Sequence, residues 1–182
     1  MTPIPVRPAP VGGAFDLLDH NGRQVSDATF RGRFLLMFFG FTNCRTVCPR
    51  ALERLSSALE DLGAMADMVQ PLYVSVDPAR DTAERMRDFL SPWPRFLGLT
   101  GSQEQIEAVK AVFRVFARRR DGPNGYDVPH SAITHLLDPM GRHIDYWPDV
   151  LSAGEISDRL FIALCPHAQL NQEEGPNDAR RN

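Results

Sequence analysis

No apolar run in the chain approaches the ~20 residues that a membrane-spanning helix requires. No sign of charge dominates either: 20 basic against 23 acidic side chains leave a net charge of -3 and a pI near 5.9. A nucleic-acid binder needs a basic face to displace counterions from phosphates, so no nucleic-acid partner is expected. Lysine is almost missing, with Lys110 alone among arginines, and the one basic run, Arg118 to Arg120, borders the turn signal "DGPNG" and reads as a solvated loop. There is no internal repeat, and cysteine occurs only at 44, 48 and 165. What is present is ordinary for a globular protein. With 43% hydrophobic and 24% charged residues over 182 positions, the chain has enough apolar material for one domain with a full core.

The opening "MTPIPVRPAPVGG" is rich in Pro and Gly and lacks the apolar centre of a signal peptide, so residues 1–13 read as a flexible leader or tether. Residues 14–168 are expected to form the domain, and residues 169–182 a polar tail that frays. Within the domain, "AFDLLDHNGRQVS" reads as a hairpin around Asn-Gly. "RFLLMFFGF" is continuously apolar, as a strand covered on both faces must be. "PRALERLSSALEDLG" repeats leucine at helical spacing between Pro49 and Gly63. After the buried strand "QPLYVSVD", Asp81 with Glu84 and Ser102 with Gln105 are spaced as capping boxes that open two further helices. A polar, Gly-rich insert, "ARRRDGPNGYDV", precedes two strands, "SAITHLLD" and "RHIDYW", and "SAGEISDRLFIAL" closes as a helix. This order predicts an α/β fold of the thioredoxin-like sandwich type: a central mixed sheet flanked by helices, with an N-terminal hairpin and an inserted hairpin or loop.

The chemistry concentrates in "FFGFTNCRTVCPRAL", where Cys44 and Cys48 fall at a strand-to-helix junction, the carboxyl edge where sites form in open α/β sheets. Pro49 at the first turn puts Cys48 at the helix N-terminus, whose N–H groups favour a thiolate, and Arg45 between the two thiols pushes the same way. A reactive pair is expected rather than a buried structural one. Thioredoxin-type exchangers space their cysteines by two residues; three intervene here, which lets both sulfurs turn toward one external atom and still close a disulfide. A peroxidase would need Thr or Ser three residues before its reactive cysteine, and Phe41 and Arg45 stand there instead.

Three motifs in order, "FFGFTNCRTVCP", "YVSVDPARDT" and "HSAITHLLDPMG", resemble the Sco/SenC family over residues 15 to 164. The resemblance implies a thioredoxin fold and copper, Cu(I) or Cu(II), bound by Cys44, Cys48 and His130. It further implies a metallochaperone that delivers copper to, or maintains, the dinuclear copper site of cytochrome c oxidase. The partners implied are the oxidase subunit carrying that site and other copper chaperones or thiol reductants. The place implied is the bacterial periplasm, with the membrane reached only through an anchor not visible in this sequence. A second function stays open: a thiol-disulfide oxidoreductase that uses Cys44 and Cys48 as its redox-active pair to reduce the cysteines of that copper site. Two thiolates and an imidazole form a soft set that suits copper, excludes oxygen-ligand metals and leaves zinc possible.

Several positions depart from the family pattern or carry less. Counting back from "LLDPMG", Ala132 occupies the place of the thioredoxin cis-proline, which leaves room for a ligand. Pro129 replaces the usual acidic residue before the ligand histidine, so a group to fix the imidazole tautomer is expected to be missing. Asp77, Pro78, Arg80 and Asp81 match the family's DP-x-RD signature and are assigned a structural role. His135, five residues into its strand, is expected to pack rather than ligate. His20, His143 and His167 are read as surface histidines, and Cys165 as a helix-end thiol before a helix stop at Pro166.

Overall fold

The computed structural model describes residues 11–123 and 125–173, without the side chains of 169–173. The expected leader at 1–10 and the end of the expected tail at 174–182 lie outside the described residues.

Strands β1 (Asp16–Asp19) and β2 (Gln24–Ser26) form the N-terminal hairpin. The Asp19 carboxylate accepts from the Asn21 and Arg23 N–H groups and Gly22 takes φ +81°, so the Asn-Gly turn closes as the sequence implies. β3 (Phe34–Gly40) is buried along its whole length and pairs in parallel with β4 (Val69–Ser75), which pairs in parallel with β5 (Leu97–Thr100). β8 (Ile133–Leu137) lies antiparallel against the other edge of β3 and carries β9 (His143–Pro148) outside it. The seven-stranded order is β2-β1-β5-β4-β3-β8-β9. The polar insert folds as a separate hairpin of β6 (Arg120–Gly122) and β7 (Gly125–Asp127).

Alternation along β3 divides the core. Phe34, Leu36 and Phe38 face α1 (Val47–Asp61), α2 (Ala83–Leu90) and α4 (Ala153–Glu173), whose Leu52, Leu55, Leu59, Met86, Leu90, Leu160 and Leu164 join the same cluster. Leu35, Met37 and Phe39 face the opposite side, against Ile106, Val109 and Phe113 of α3 (Gln103–Phe113). Both faces of β3 are thus covered, which is why its sequence reads as a continuous apolar run.

Two expectations about helix ends are corrected. The cap of α2 is Thr82, whose hydroxyl accepts from the Arg85 N–H, and not Asp81, which turns inward to other partners. α4 does not stop at Leu164 but continues through Pro166 to Glu173. Proline removes one donor without forbidding the turns beyond it, and the added turn is packed, with His167 edge-on to Phe34 at a ring separation of 5.0 Å. Cys165 and His167 therefore lie inside the helix, not beyond it.

Candidate functional site

Chain direction explains why one edge of the sheet gathers the chemistry. β3 ends at Gly40 and leads into the cysteine loop; β4 ends at Ser75 and leads into Asp77–Asp81. β8 runs the opposite way, with Thr134 opposite Phe38, so the segment entering it, which carries His130, arrives at the same edge. His135, by contrast, pairs with Met37 deeper in the sheet and is buried, as expected of a packing residue.

Phe41 joins the two halves of the site. Its carbonyl accepts from the Cys44 N–H at 3.1 Å, and its ring meets the His130 ring edge-on at 5.5 Å. The DP-x-RD signature braces both sides. The buried Asp81 carboxylate accepts from the Thr42 N–H, the Thr42 hydroxyl (2.6 Å) and the Ser75 hydroxyl (2.6 Å), which ties down the residues just before Cys44. Asp77 is ion-paired with Arg80 and accepts from the Tyr126 hydroxyl at 2.9 Å, while the Arg80 guanidinium donates to the Tyr126 carbonyl and stacks on its ring. Tyr126 belongs to the inserted hairpin that precedes His130. The structural role expected for this signature is therefore to hold the cysteine loop and the histidine segment against one scaffold. Arg119, from the run read as a solvated loop, is exposed but stacks on the same Tyr126 ring at 3.9 Å.

All three cysteines are free thiols. Cys44 is half-buried in the loop and Cys48 is fully buried in the first turn of α1. The expected roles of the two are exchanged. The Cys48 N–H points at Cys44 Sγ (3.3 Å). A hydrogen bond from the Cys48 thiol, with help from the N–H groups of residues 46 to 48, lowers the Cys44 thiol to about 5. Cys48, giving its proton to that bond and desolvated by burial, is pushed well up and stays a thiol. The helix N-terminus thus acts on the cysteine that precedes the helix, because its N–H vectors point out of the first turn and not back along it. Arg45 is exposed and is not among the groups that shift Cys44.

His130 is half-buried, and its Nδ1 lies 3.0 Å from the Val128 carbonyl oxygen. A carbonyl only accepts, so Nδ1 carries the proton and Nε2 a free lone pair. The sequence expectation that nothing fixes this tautomer is corrected: a backbone carbonyl does so in place of the acidic side chain that Pro129 displaces. Nε2 itself is buried with no hydrogen-bond partner among the described residues. Cys44, Cys48 and His130 are neighbours around Phe41 without converging: among the described residues no three His, Cys, Asp or Glu side chains form a ready metal cluster. Ala132, partly buried, packs on the same core as Cys48.

The remaining histidines are more engaged than expected. His143 is half-buried on β9 and its Nε2 lies 3.0 Å from His135 Nδ1. His20 accepts at Nδ1 from the Gly98 N–H at 3.2 Å. One residue that the sequence did not single out is Tyr73 on β4. Its hydroxyl is buried without a hydrogen-bond partner among the described residues, on the Cys48 side of Gly40. An alanine methyl at position 40 would clash with that hydroxyl and come within 2.8 Å of Cys48 Sγ, so glycine is what lets the two atoms share the space.

Comparison with known proteins identifies the family and the fold. The family model described as SCO1/SenC matches residues 5–163. This chain belongs to the SCO1/SenC family. Among SCO relatives, the mitochondrial SCO2 homologue of Bos taurus is 44% identical over 161 residues, which is 85% of this chain and 60% of that protein. The chain thus spans about 60% of the length of that relative. The copper-bound structure of Bradyrhizobium japonicum ScoI superposes with a TM-score of 0.76 at 36% identity, covering 82% of this chain and 97% of that one. BsSco, a Sco-family cytochrome c oxidase assembly protein with a disulfide switch, superposes with a TM-score of 0.68 at 26% identity, covering 87% and 96%. These SCO neighbours share the thioredoxin-like fold. Among the described residues no helix is long and apolar enough to cross a membrane.

Proposed function

We propose that this chain is a copper metallochaperone that holds one copper ion through Cys44, Cys48 and His130 and delivers it to, or maintains, the dinuclear copper site of cytochrome c oxidase. The observation that carries this reading is the orphaned Nε2 of His130. A buried lone pair with no partner is costly, by about 1–3 kcal/mol, and its tautomer is already the one a metal requires. Beside it, Cys44 supplies a thiolate near neutral pH and Cys48 a second sulfur. Two sulfurs and one imidazole suit Cu(I), and bound copper would draw the Cys48 proton off as it closes the set. The copper-bound ScoI and the oxidase-assembly role stated for BsSco support the same reading.

A specific observation also favours dithiol exchange. An accessible low-pKa thiolate in front of a buried protonated partner is the asymmetry that lets the first attack a disulfide and the second resolve it. His130 separates the two functions. In anaerobic titration of the reduced protein, His130→Ala should weaken copper binding by orders of magnitude and alter thiolate-to-copper absorption while the disulfide still forms. His135→Ala should keep the copper spectrum. The reverse outcome would overturn the ligand assignment. We place the protein in the bacterial periplasm, tethered to the membrane, where the oxidase copper site is reached.

A further inference from the structure

We propose that Tyr73 is a positioning residue for the metal site, its buried hydroxyl held in reserve as the hydrogen-bond donor to the Cys48 sulfur once that sulfur is a copper-bound thiolate. The inference rests on the copper-binding reading above and adds a residue to it. Tyr73 is completely buried in the central strand β4, between β3 and β5. Its ring packs against Phe38 and Phe89, a setting that phenylalanine would fill equally well. The hydroxyl makes no hydrogen bond of normal geometry among the described residues, which for a buried hydroxyl costs about 1–3 kcal/mol, though it already lies close enough to Cys48 Sγ to interact with it. The polar atom it shares space with, over the bare Cα of Gly40, is Cys48 Sγ.

In the metal-free protein Cys48 Sγ is fully buried, beside Cys44 and the Tyr73 hydroxyl. A copper ligand at this position would have to be a thiolate, so the sulfur would carry a full negative charge enclosed by the core, where water cannot solvate it. A phenol is the donor such a sulfur needs, and charge-assisted bonds are the stronger kind. Hydrogen bonding lowers the energy of the sulfur lone pairs, so it also sets the energy of thiolate-to-copper charge transfer, as outer-shell groups do at other thiolate sites.

The test is Tyr73→Phe beside the wild type, read three ways: the thiolate-to-copper band of the Cu(II) form, copper affinity by anaerobic competition, and thermal unfolding of the copper-free reduced protein. The band should move to longer wavelength and affinity should fall by roughly tenfold or more, the loss of one charge-assisted bond. The copper-free protein should unfold at an equal or higher temperature, since an unsatisfied hydroxyl has been removed. Replacing Tyr73 with 3-fluorotyrosine, a stronger donor, should move the band the opposite way. A wild type with no thiolate-to-copper band would remove the copper reading itself. A wild-type band that neither replacement shifts, or a Tyr73→Phe protein that loses copper only in proportion to lost stability, would overturn the role given to Tyr73.

Discussion

Cys44 and Cys48 divide the labour of one dithiol because they differ in exposure and in what points at them. The loop thiol receives the Cys48 S–H and the first N–H groups of α1, and its pKa falls to about 5; the helix thiol is sealed in the core and keeps its proton. Reduced, copper-free protein should therefore be alkylated by iodoacetamide at Cys44 first, with a rate profile whose midpoint lies near 5. Cys48→Ala removes the largest cause of the shift and should move that midpoint up toward the ordinary thiol value of about 8.5. Peptide mapping after brief alkylation reads the order directly. Labelling of Cys48 ahead of Cys44 would show that the helix N-terminus serves the other sulfur.

The paired strands β8 and β9 bring His135 and His143 into contact on the side of the sheet covered by α3. Burial, with a smaller contribution from the neighbouring His143, lowers the His135 pKa to about 4. In the unfolded chain the same group titrates near 6.5, so protons bind the unfolded state more tightly. Its contribution to stability is complete above about 6.5 and is lost as the pH falls toward 4. His135→Phe keeps an aromatic ring against Phe39 and Phe113 and removes the titration. Chemical denaturation of the variant should show a flatter pH dependence between 4 and 6.5 than the wild type. An unchanged slope there would assign the acid sensitivity to other groups.

At the level of the whole molecule, ligand binding and redox state meet in one equilibrium. On the proposed reading copper would bind the folded reduced form, whose two sulfurs and His130 reach the same edge of the sheet only when β3, α1 and β8 are assembled, and the disulfide would consume both thiolates. Reduced protein at free copper about one hundred times its dissociation constant should melt about 5–10 °C higher than without metal. Protein oxidised to the Cys44–Cys48 disulfide should show no such shift. An equal shift in both redox states, by differential scanning calorimetry, would place the copper elsewhere.

The sequence by itself determined most of the element order, the hairpin at Asn-Gly, the Ser102–Gln105 capping box and the dithiol at a strand-to-helix junction, because each depends on neighbours within a few residues. It missed β5, whose four residues Leu97–Thr100 between α2 and α3 are too few to show a strand pattern and are defined by pairing with β4 and β1. Phe34 to Gly40 declares a doubly covered strand by its composition alone, and the family motifs mark Cys44, Cys48 and His130 as a set. Only the tertiary structure decided which sulfur is the thiolate, since that depends on where the N–H groups of α1 point and on how deeply each thiol is buried. The Val128 carbonyl that fixes His130, the turn of Asp81 away from the α2 cap toward Thr42 and Ser75, and the passage of α4 through Pro166 onto Phe34 were likewise not legible. Each is settled by a partner distant in sequence or by a backbone atom that no side-chain pattern reports. Tyr73 is the clearest case: in a strand buried on both faces, alternation does not say which side chain looks at the site, and only the packing of β4 against Gly40 and α1 sets its hydroxyl beside Cys48.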